Sequence, residues 1–318
     1  EHDFTQLPLH ITEARISDPA LLHRTAPART IGVGVGFEAA RQHATRRACE
    51  AYAASLVDPR RLPQPSAAEL ARYGWSGLAS LGDPPDLDIL WTWAHALHSD
   101  ELRLLPAVLA YPALLCQPTA PDDKLGVASG WSWAEAVSRA LIDHVRRLTI
   151  AELSAAAEPF AQVDLAQTAC DATAVRYREW LALQEVRWAI YDVTGALGVP
   201  TFAACIDGDV VSYGAGLDVA AVLRDCLEQL VQQAQSIANG QPRYSLPTPT
   251  ALPEALQGQR QRAPADHGPL TWPEQQRRLQ QALWRHGWET YAVALDHDPE
   301  LTKILPFLVK VVAMQRPT

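Results

Sequence analysis

The chain has 318 residues, 48% of them hydrophobic and 20% charged, with a formal net charge of −9. That length admits one large domain or two ordinary ones, with a sizeable core. The acidic balance disfavours a nucleic-acid binder, whose phosphate contacts require clustered Lys and Arg. The five cysteines, Cys49, Cys116, Cys170, Cys205 and Cys226, include no C-x-x-C pair. They read as reduced thiols filling a core in the cytoplasm. No basic-then-apolar leader opens the sequence. The longest apolar run, Leu102 to Cys116, is broken by Arg103, Pro106 and Pro112, so no membrane span is expected.

In chain order, GVGVG at Gly32 to Gly36 leads into a predicted helix over residues 38–56, which stops before Asp58-Pro59. A Pro/Ser/Gly-rich link runs from Arg61 to Pro85. The next apolar runs flank His98-Ser99-Asp100 and read as a β-hairpin. Ser132 can cap a second helix over about 133–157. VRWAIYDVT and PTFAACIDG read as strands around a turn from Gly195 to Pro200. Asp218 caps a third helix over about 219–238, and residues 239–268, heavy in Gln and Pro, read as an exposed linker or loop. A fourth helix covers about 272–286, and WETYAVALD and FLVKVVAM close the sequence as strands. Strands and helices are thus mixed, an α+β class. The units GVGVGFEAARQHATRRACEAY, GVASGWSWAEAVSRALIDHVRRL and GAGLDVAAVLRDCLEQLVQQ repeat one arrangement of glycines before an amphipathic helix. Such a pseudo-repeat can turn helix N-termini towards one central cavity, where their dipoles favour anions.

The helices carry charges in register. Helix one offers His43, Arg47 and Glu50 on one face; helix two offers Glu135, Asp143, Arg146 and Arg147; helix three offers Arg224 and Glu228. As solvated i,i+4 pairs each contributes a few tenths of a kcal/mol. As the lining of one cavity, carboxylates suit Mg²⁺ and arginines suit phosphate oxygens.

The order of these pieces resembles the YcaO family, over about residues 30–317. The family's glycine turn is followed by A-x-x-x-A-x-x-E-x-x-E-R, on which Ala40, Ala44 and Glu50 match while Arg47 and Ala51 stand for the first Glu and the Arg. Its second helix is similar to the segment carrying Glu135, Asp143, Arg146 and Arg147, with Arg146 in place of the last Glu. LRLLPAVLAYP, YDVTGALGVPTFAA, the helix with Arg224 and Glu228, and the closing segment to LVKVV resemble the remaining pieces. The resemblance implies a single YcaO-like domain over 1–318. It also implies an α+β fold, and a chemistry in which ATP with Mg²⁺ phosphorylates a peptide amide oxygen after a side-chain or sulfide nucleophile has attacked that carbonyl. Members modify ribosomally made peptides. They work with a leader-peptide-binding subunit and sometimes with a dehydrogenase that oxidises azoline to azole.

Several positions depart from the family. Glu50, Glu135, Asp143, Arg147, Arg224 and Glu228 remain as nucleotide-site positions, whereas His43, Arg47, Ala51 and Arg146 are degenerate. A guanidinium for a carboxylate changes local charge by two units, and at roughly 4–6 Å from Mg²⁺ the repulsion amounts to several kcal/mol. The sequence ends QRPT, whereas azoline-forming members typically end in a P-x-P-x-P tail. The expectation is therefore a divergent subunit with no metal and no nucleotide. Its partners would be the precursor peptide, an active cyclodehydratase, a leader-binding or dehydrogenase subunit, or a second copy of itself. The alternative is an active ATP- and Mg²⁺-dependent cyclodehydratase converting Cys, Ser or Thr to azolines.

Other constellations carry less. GVGVG lacks the Lys-Ser/Thr of a P-loop. His95 and His98 are not expected to bind metal, His144 reads as a surface neighbour of Asp143, and His297 in DHDP reads as part of a solvated loop. Trp131 and Trp133 read as core or interface residues.

Overall fold

The structure, a computed structural model, describes residues 9–15, 29–75, 89–111, 114, 125–153, 160–168, 170–240, 261–262, 268 and 270–316. It is an α+β protein. Two compact units are present: one formed by Glu1–Glu13, Ile31–Ala44 and Val145–Thr271, the other by Ala14–Thr30, Thr45–His144 and Trp272–Thr318. The elements in order are β1 (His10–Arg15), β2 (Arg29–Gly34), α1 (Phe37–Ser55), α2 (Ala67–Tyr73), β3 (Trp91–Ala96), β4 (Glu101–Pro106), α3 (Ala107–Ala110), β5 (Val127–Gly130) and α4 (Trp133–Leu153). There follow β6 (Ala161–Val163), α5 (Ala172–Ala182), β7 (Trp188–Asp192), β8 (Thr201–Ile206), β9 (Asp209–Ala215), α6 (Val219–Ala238), β10 (Gln261–Arg262), α7 (Trp272–Arg285), β11 (Trp288–Ala294), α8 (Pro299–Ile304) and β12 (Phe307–Gln315). Strands β1 and β2 pair with each other.

The first unit is built on a sheet of order β10-β6-β7-β8-β9. Strand β8 is buried along its whole length. The reason is that both faces are covered: Phe202, Ala204 and Ile206 point into a core with α5 and α6, and Ala203 and Cys205 point to Leu153 and Ile150 of α4. Helix α6 starts where Asp218 accepts a hydrogen bond from the Ala221 N–H. Its buried Val219, Val222, Leu223, Cys226, Leu227, Leu230 and Val231 recur at three- and four-residue steps. Each such apolar side chain contributes about 1.5–3 kcal/mol on burial. Gly214 of β9 lies close under that helix; a Cβ there would sit 2.7 Å from Cys226 Sγ and 2.8 Å from Val222 Cγ1.

The second unit holds an antiparallel sheet of order β4-β3-β11-β12-β5. Tyr291 pairs with Ala96 across β11 and β3, and both join a core with Ala53, Ala54, Leu105, Tyr111, Val293 and Leu308.

The four predicted helices are present as α1, α4, α6 and α7, and the predicted hairpin is β3–β4. Residues 154–157 at the end of the second predicted helix, residues 76–85 of the predicted link, and most of the predicted linker 239–268 lie outside the described residues. Within that last segment Gln261–Arg262 pair in parallel with β6. Helix α2, which lies within the predicted link, helices α3, α5 and α8, and strands β1, β5, β6, β9 and β10 are additions to the sequence reading.

Two histidines sit differently from expectation. His144 is buried, with Nε2 2.9 Å from the Val311 carbonyl oxygen; α4 turns this side inwards onto β12. His297 is half-buried: its Nδ1 accepts from the Asp58 N–H at 2.8 Å and its ring packs on Tyr111. No helix among the described residues is long and apolar enough to cross a membrane.

Candidate functional site

In the second unit, β5 passes through Gly130 into α4. Ser132 accepts from the Glu135 N–H at 3.1 Å, while the Glu135 carboxylate accepts from the Trp131 N–H at 3.0 Å. This is a capping-box exchange displaced by one residue. Gly130 is required for it, because a Cβ would meet the Ala136 nitrogen at 2.7 Å and Glu135 Cβ at 2.9 Å. The second oxygen of Glu135 takes Arg139 Nη2 at 2.9 Å, one helical turn on, and the Arg139 guanidinium lies 5.5 Å over the ring of Trp272.

Glu50 reaches the same strand–helix junction from α1. Its Oε1 accepts both the Ser129 N–H, at 2.9 Å, and the Ser129 hydroxyl, at 2.7 Å. Burial raises the Glu50 pKa, against the pull of the two Ser129 donors and of Arg46 and Arg139. Arg46, one turn before Glu50, is half-buried. Its own pKa is lowered, by burial first and then by repulsion from Arg139, with Glu50 and Glu135 acting the other way. The junction thus gathers Glu50, Ser129, Glu135 and Arg139.

Within the first unit, Arg224 and Glu228 are engaged by α5. Arg224 Nη1 donates to Asp171 at 2.9 Å, and Tyr177 donates its hydroxyl to Glu228 at 3.3 Å. Asp171 is also the N-cap of α5, accepting from the Ala174 N–H at 2.8 Å. Burial raises its pKa, but the backbone donors and Arg224 outweigh burial and leave it lowered.

The remaining sequence candidates are placed as follows. His43 Nδ1 is 2.6 Å from the Val33 carbonyl oxygen. Arg47 is exposed and Ala51 is buried, packed by Ala48, Tyr52 and Leu56. Asp143 and Arg146 are half-buried and Arg147 exposed, on turns of α4 that begin about 12 Å beyond Glu135 along the helix axis. Sequence reading did not pair Arg139 with the carboxylates and missed Ser129. The pattern S-W-A-E at Ser132 to Glu135 is a readable capping signal. His95 pairs with Asp100 at 3.1 Å, and His98 stacks on Trp284 with ring centroids 3.6 Å apart. Trp131 is 70% exposed and is no core residue.

Mg²⁺ takes near-octahedral oxygen ligands at about 2.0–2.1 Å and usually retains waters and substrate phosphates. Both oxygens of Glu135 and one of Glu50 already serve protein donors, and one of those donors is the Arg139 guanidinium. This set does not fit a resident Mg²⁺. Among the described residues no three His, Cys, Asp or Glu side chains form a metal-ligand group. The four described cysteines are free thiols. Burial pushes all four up, Cys205 and Cys226 to about 12, so none is an activated nucleophile.

Residues 32–310 match the sequence model of the family described as YcaO cyclodehydratase, ATP- and Mg²⁺-binding. The fold is similar to that of YcaO from Methanopyrus kandleri, solved with AMPPCP and Mg²⁺ (TM-score 0.70, 17% identity, 96% of this chain and 82% of that one). It is also similar to a heterocyclase in complex with substrate and cofactor (TM-score 0.61, 16% identity, 95% of this chain and 49% of that one). A third likeness is to the E. coli microcin synthetase McbBCD complex (TM-score 0.54, 15% identity, 96% and 84%). The chain therefore spans about half of the heterocyclase chain. At these identities the structural likeness concerns the fold. No curated protein matches significantly.

Proposed function

The chain belongs to the YcaO family, and on that premise we propose that it is a divergent, non-catalytic subunit of a cytoplasmic complex that modifies a ribosomally made peptide. Residues 1–318 act in this reading as one YcaO-like domain. It holds the precursor peptide or supports an active cyclodehydratase, alongside leader-binding or dehydrogenase subunits. The solved heterocyclase–substrate complex and the McbBCD assembly support a peptide substrate and partner subunits.

The central observation is the state of the two carboxylates. Glu50 is bound twice by Ser129, and Glu135 caps α4 and pairs with Arg139. A Mg²⁺–nucleotide complex would have to displace these donors and sit beside Arg139. In a low-dielectric site that repulsion outweighs the gain from one or two carboxylate ligands. Arginines can hold phosphate by themselves, but the charge that develops on a transferring phosphoryl group would then need another source of stabilisation.

Phosphate release is the test. The purified chain is incubated with ATP, Mg²⁺ and the candidate precursor peptide, alone and with the sister subunit. The proposal expects turnover only when the sister subunit is present. Mg²⁺-dependent turnover by the chain alone establishes the active cyclodehydratase instead.

A further inference from the structure

Strand β4 is the outer strand of the second unit's sheet, so one of its edges faces away from β3. In an antiparallel pair, successive residues turn their N–H and C=O alternately towards and away from the partner strand. The Ala107 N–H donates to the Leu90 carbonyl at 2.7 Å, and the Trp75 N–H donates to the Leu104 carbonyl at 3.0 Å. With Ala94 opposite Arg103 and His95 opposite Leu102, these two bonds fix the alternation. Glu101, Arg103 and Leu105 turn to β3, while Leu102 and Leu104 turn outwards. Leu104 is taken by Gly74, which bridges it in parallel. The outward N–H and C=O of Leu102 meet no partner among the described residues, and its side chain is 55% exposed. Such an unpaired edge is a template for a further strand.

The side chains around Leu102 say which strand fits. The edge reads Glu101-Leu102-Arg103, and the Glu101 carboxylate and Arg103 guanidinium pair on one face of the sheet. A second β4 laid antiparallel, with Leu102 opposite Leu102, sets each Glu101 against the other copy's Arg103. The two Leu102 residues then exchange both of their free backbone hydrogen bonds. An in-register parallel copy would oppose like charges, which is unfavourable. We infer that the β4 edge is a self-association surface, on which a second copy of this chain pairs with Glu101–Arg103 about a two-fold axis through Leu102. The interface is isologous, since the same three residues serve on both sides. Trp93 shares the face of Leu102 in the register of β3 and β4. It is 39% exposed, with its ring edge-on to Tyr73, and adds apolar surface beside the axis. Asp100, at a φ of 62°, bends the chain off the strand line at one end, and Gly74 closes the edge at the other. Pairing is thereby confined to three residues on each copy. That is short of the roughly 1,200–2,000 Å² that a stable interface buries, so the dimer depends on concentration.

The test is sedimentation velocity of the full chain from low to high micromolar concentration. The unsubstituted chain should pass from monomer to dimer across that range. Glu101→Arg and Arg103→Glu each set like charges across the axis, so each variant alone should lose the dimer. An equimolar mixture of the two should regain it, because the arginines of one copy then face the glutamates of the other. A role of the pair within one chain produces no rescue by mixing. Leu102→Lys should also lose the dimer, and its exposed position keeps it informative if a charge variant does not fold. An unsubstituted chain that stays monomeric throughout overturns the inference. So do single variants that dimerise as the unsubstituted chain does, since the dimer then uses another surface. A mixture of folded single variants that remains monomeric overturns it as well, as does Leu102→Lys that retains the dimer.

Discussion

The backbone N–H and the hydroxyl of Ser129 both donate to the same oxygen of Glu50, at 2.9 and 2.7 Å. A carboxylate so engaged is a structural acceptor, and its loss of partners is costly. Ser129→Ala should destabilise the chain by about 1–3 kcal/mol, because a buried charged acceptor loses a donor. Urea unfolding measures this; a change under about 0.5 kcal/mol would mean that water replaces the hydroxyl freely. Burial raises the Glu50 pKa. A carboxyl with a raised folded-state pKa favours the folded state most when protonated, below its unfolded value, and that contribution is lost as pH rises through the folded-state pKa. Glu50→Gln should therefore remove a component of stability that declines as pH rises above the ordinary Glu value of 4.5.

The two close-approach glycines should respond unequally. At Gly130 the nearest atom to an added Cβ is the backbone nitrogen of Ala136, at 2.7 Å. At Gly214 it is Cys226 Sγ, also at 2.7 Å, a side-chain atom. Side chains yield more readily than a helix backbone, so Gly130→Ala should exceed Gly214→Ala in cost, each within about 1–3 kcal/mol. Chemical denaturation of the two variants decides it, and the reverse order would show that α4 shifts easily on β5.

His297 should give the second unit a pH dependence. Its Nδ1 accepts from the Asp58 N–H, so the ring must be neutral there. Burial lowers its pKa first, Arg61 adds to this, and Asp296 and Asp58 oppose; Tyr111 packs on the ring. With the folded-state pKa below the ordinary 6.5, the folded form binds fewer protons in the window between the two values. Stability is full above pH 6.5 and falls as pH drops through the folded-state pKa. His297→Gln should flatten the dependence of Tm on pH in that window. An unchanged slope would assign it to other groups.

Asp171 caps α5 and pairs with Arg224. Asp171→Ala should cost about 0.5–2 kcal/mol through the cap. Arg224→Ala should cost less than about 1 kcal/mol, because both partners of the pair are about two-fifths exposed. Equal losses in urea unfolding would mean that the ion pair, not the cap, holds α5.

Much of the framework is legible in the sequence because local signals agree with tertiary packing. Asp218 ahead of a three- and four-residue apolar repeat marks α6, and two apolar runs around His98 to Asp100 mark the β3–β4 hairpin. Helix α5 is less visible, since most of its eleven residues are polar or small and its main cue is the Asp171 cap. The site is legible only in part. Glu50 and Glu135 stand out by position in the family frame. Ser129 and Arg139, which engage them, do not, because only the folded α4 and the packing of α1 against β5 bring these side chains to the carboxylates. His297 is hidden for another reason: Tyr111, which buries it, lies far away in sequence.

The most direct test of the account is a calorimetric titration of the folded chain with ATP, with and without Mg²⁺. The carboxylates of Glu50 and Glu135, engaged by Ser129, Trp131 and Arg139, predict no Mg²⁺-dependent binding. Tight binding of ATP that requires Mg²⁺ would contradict the account and make the junction a working nucleotide site.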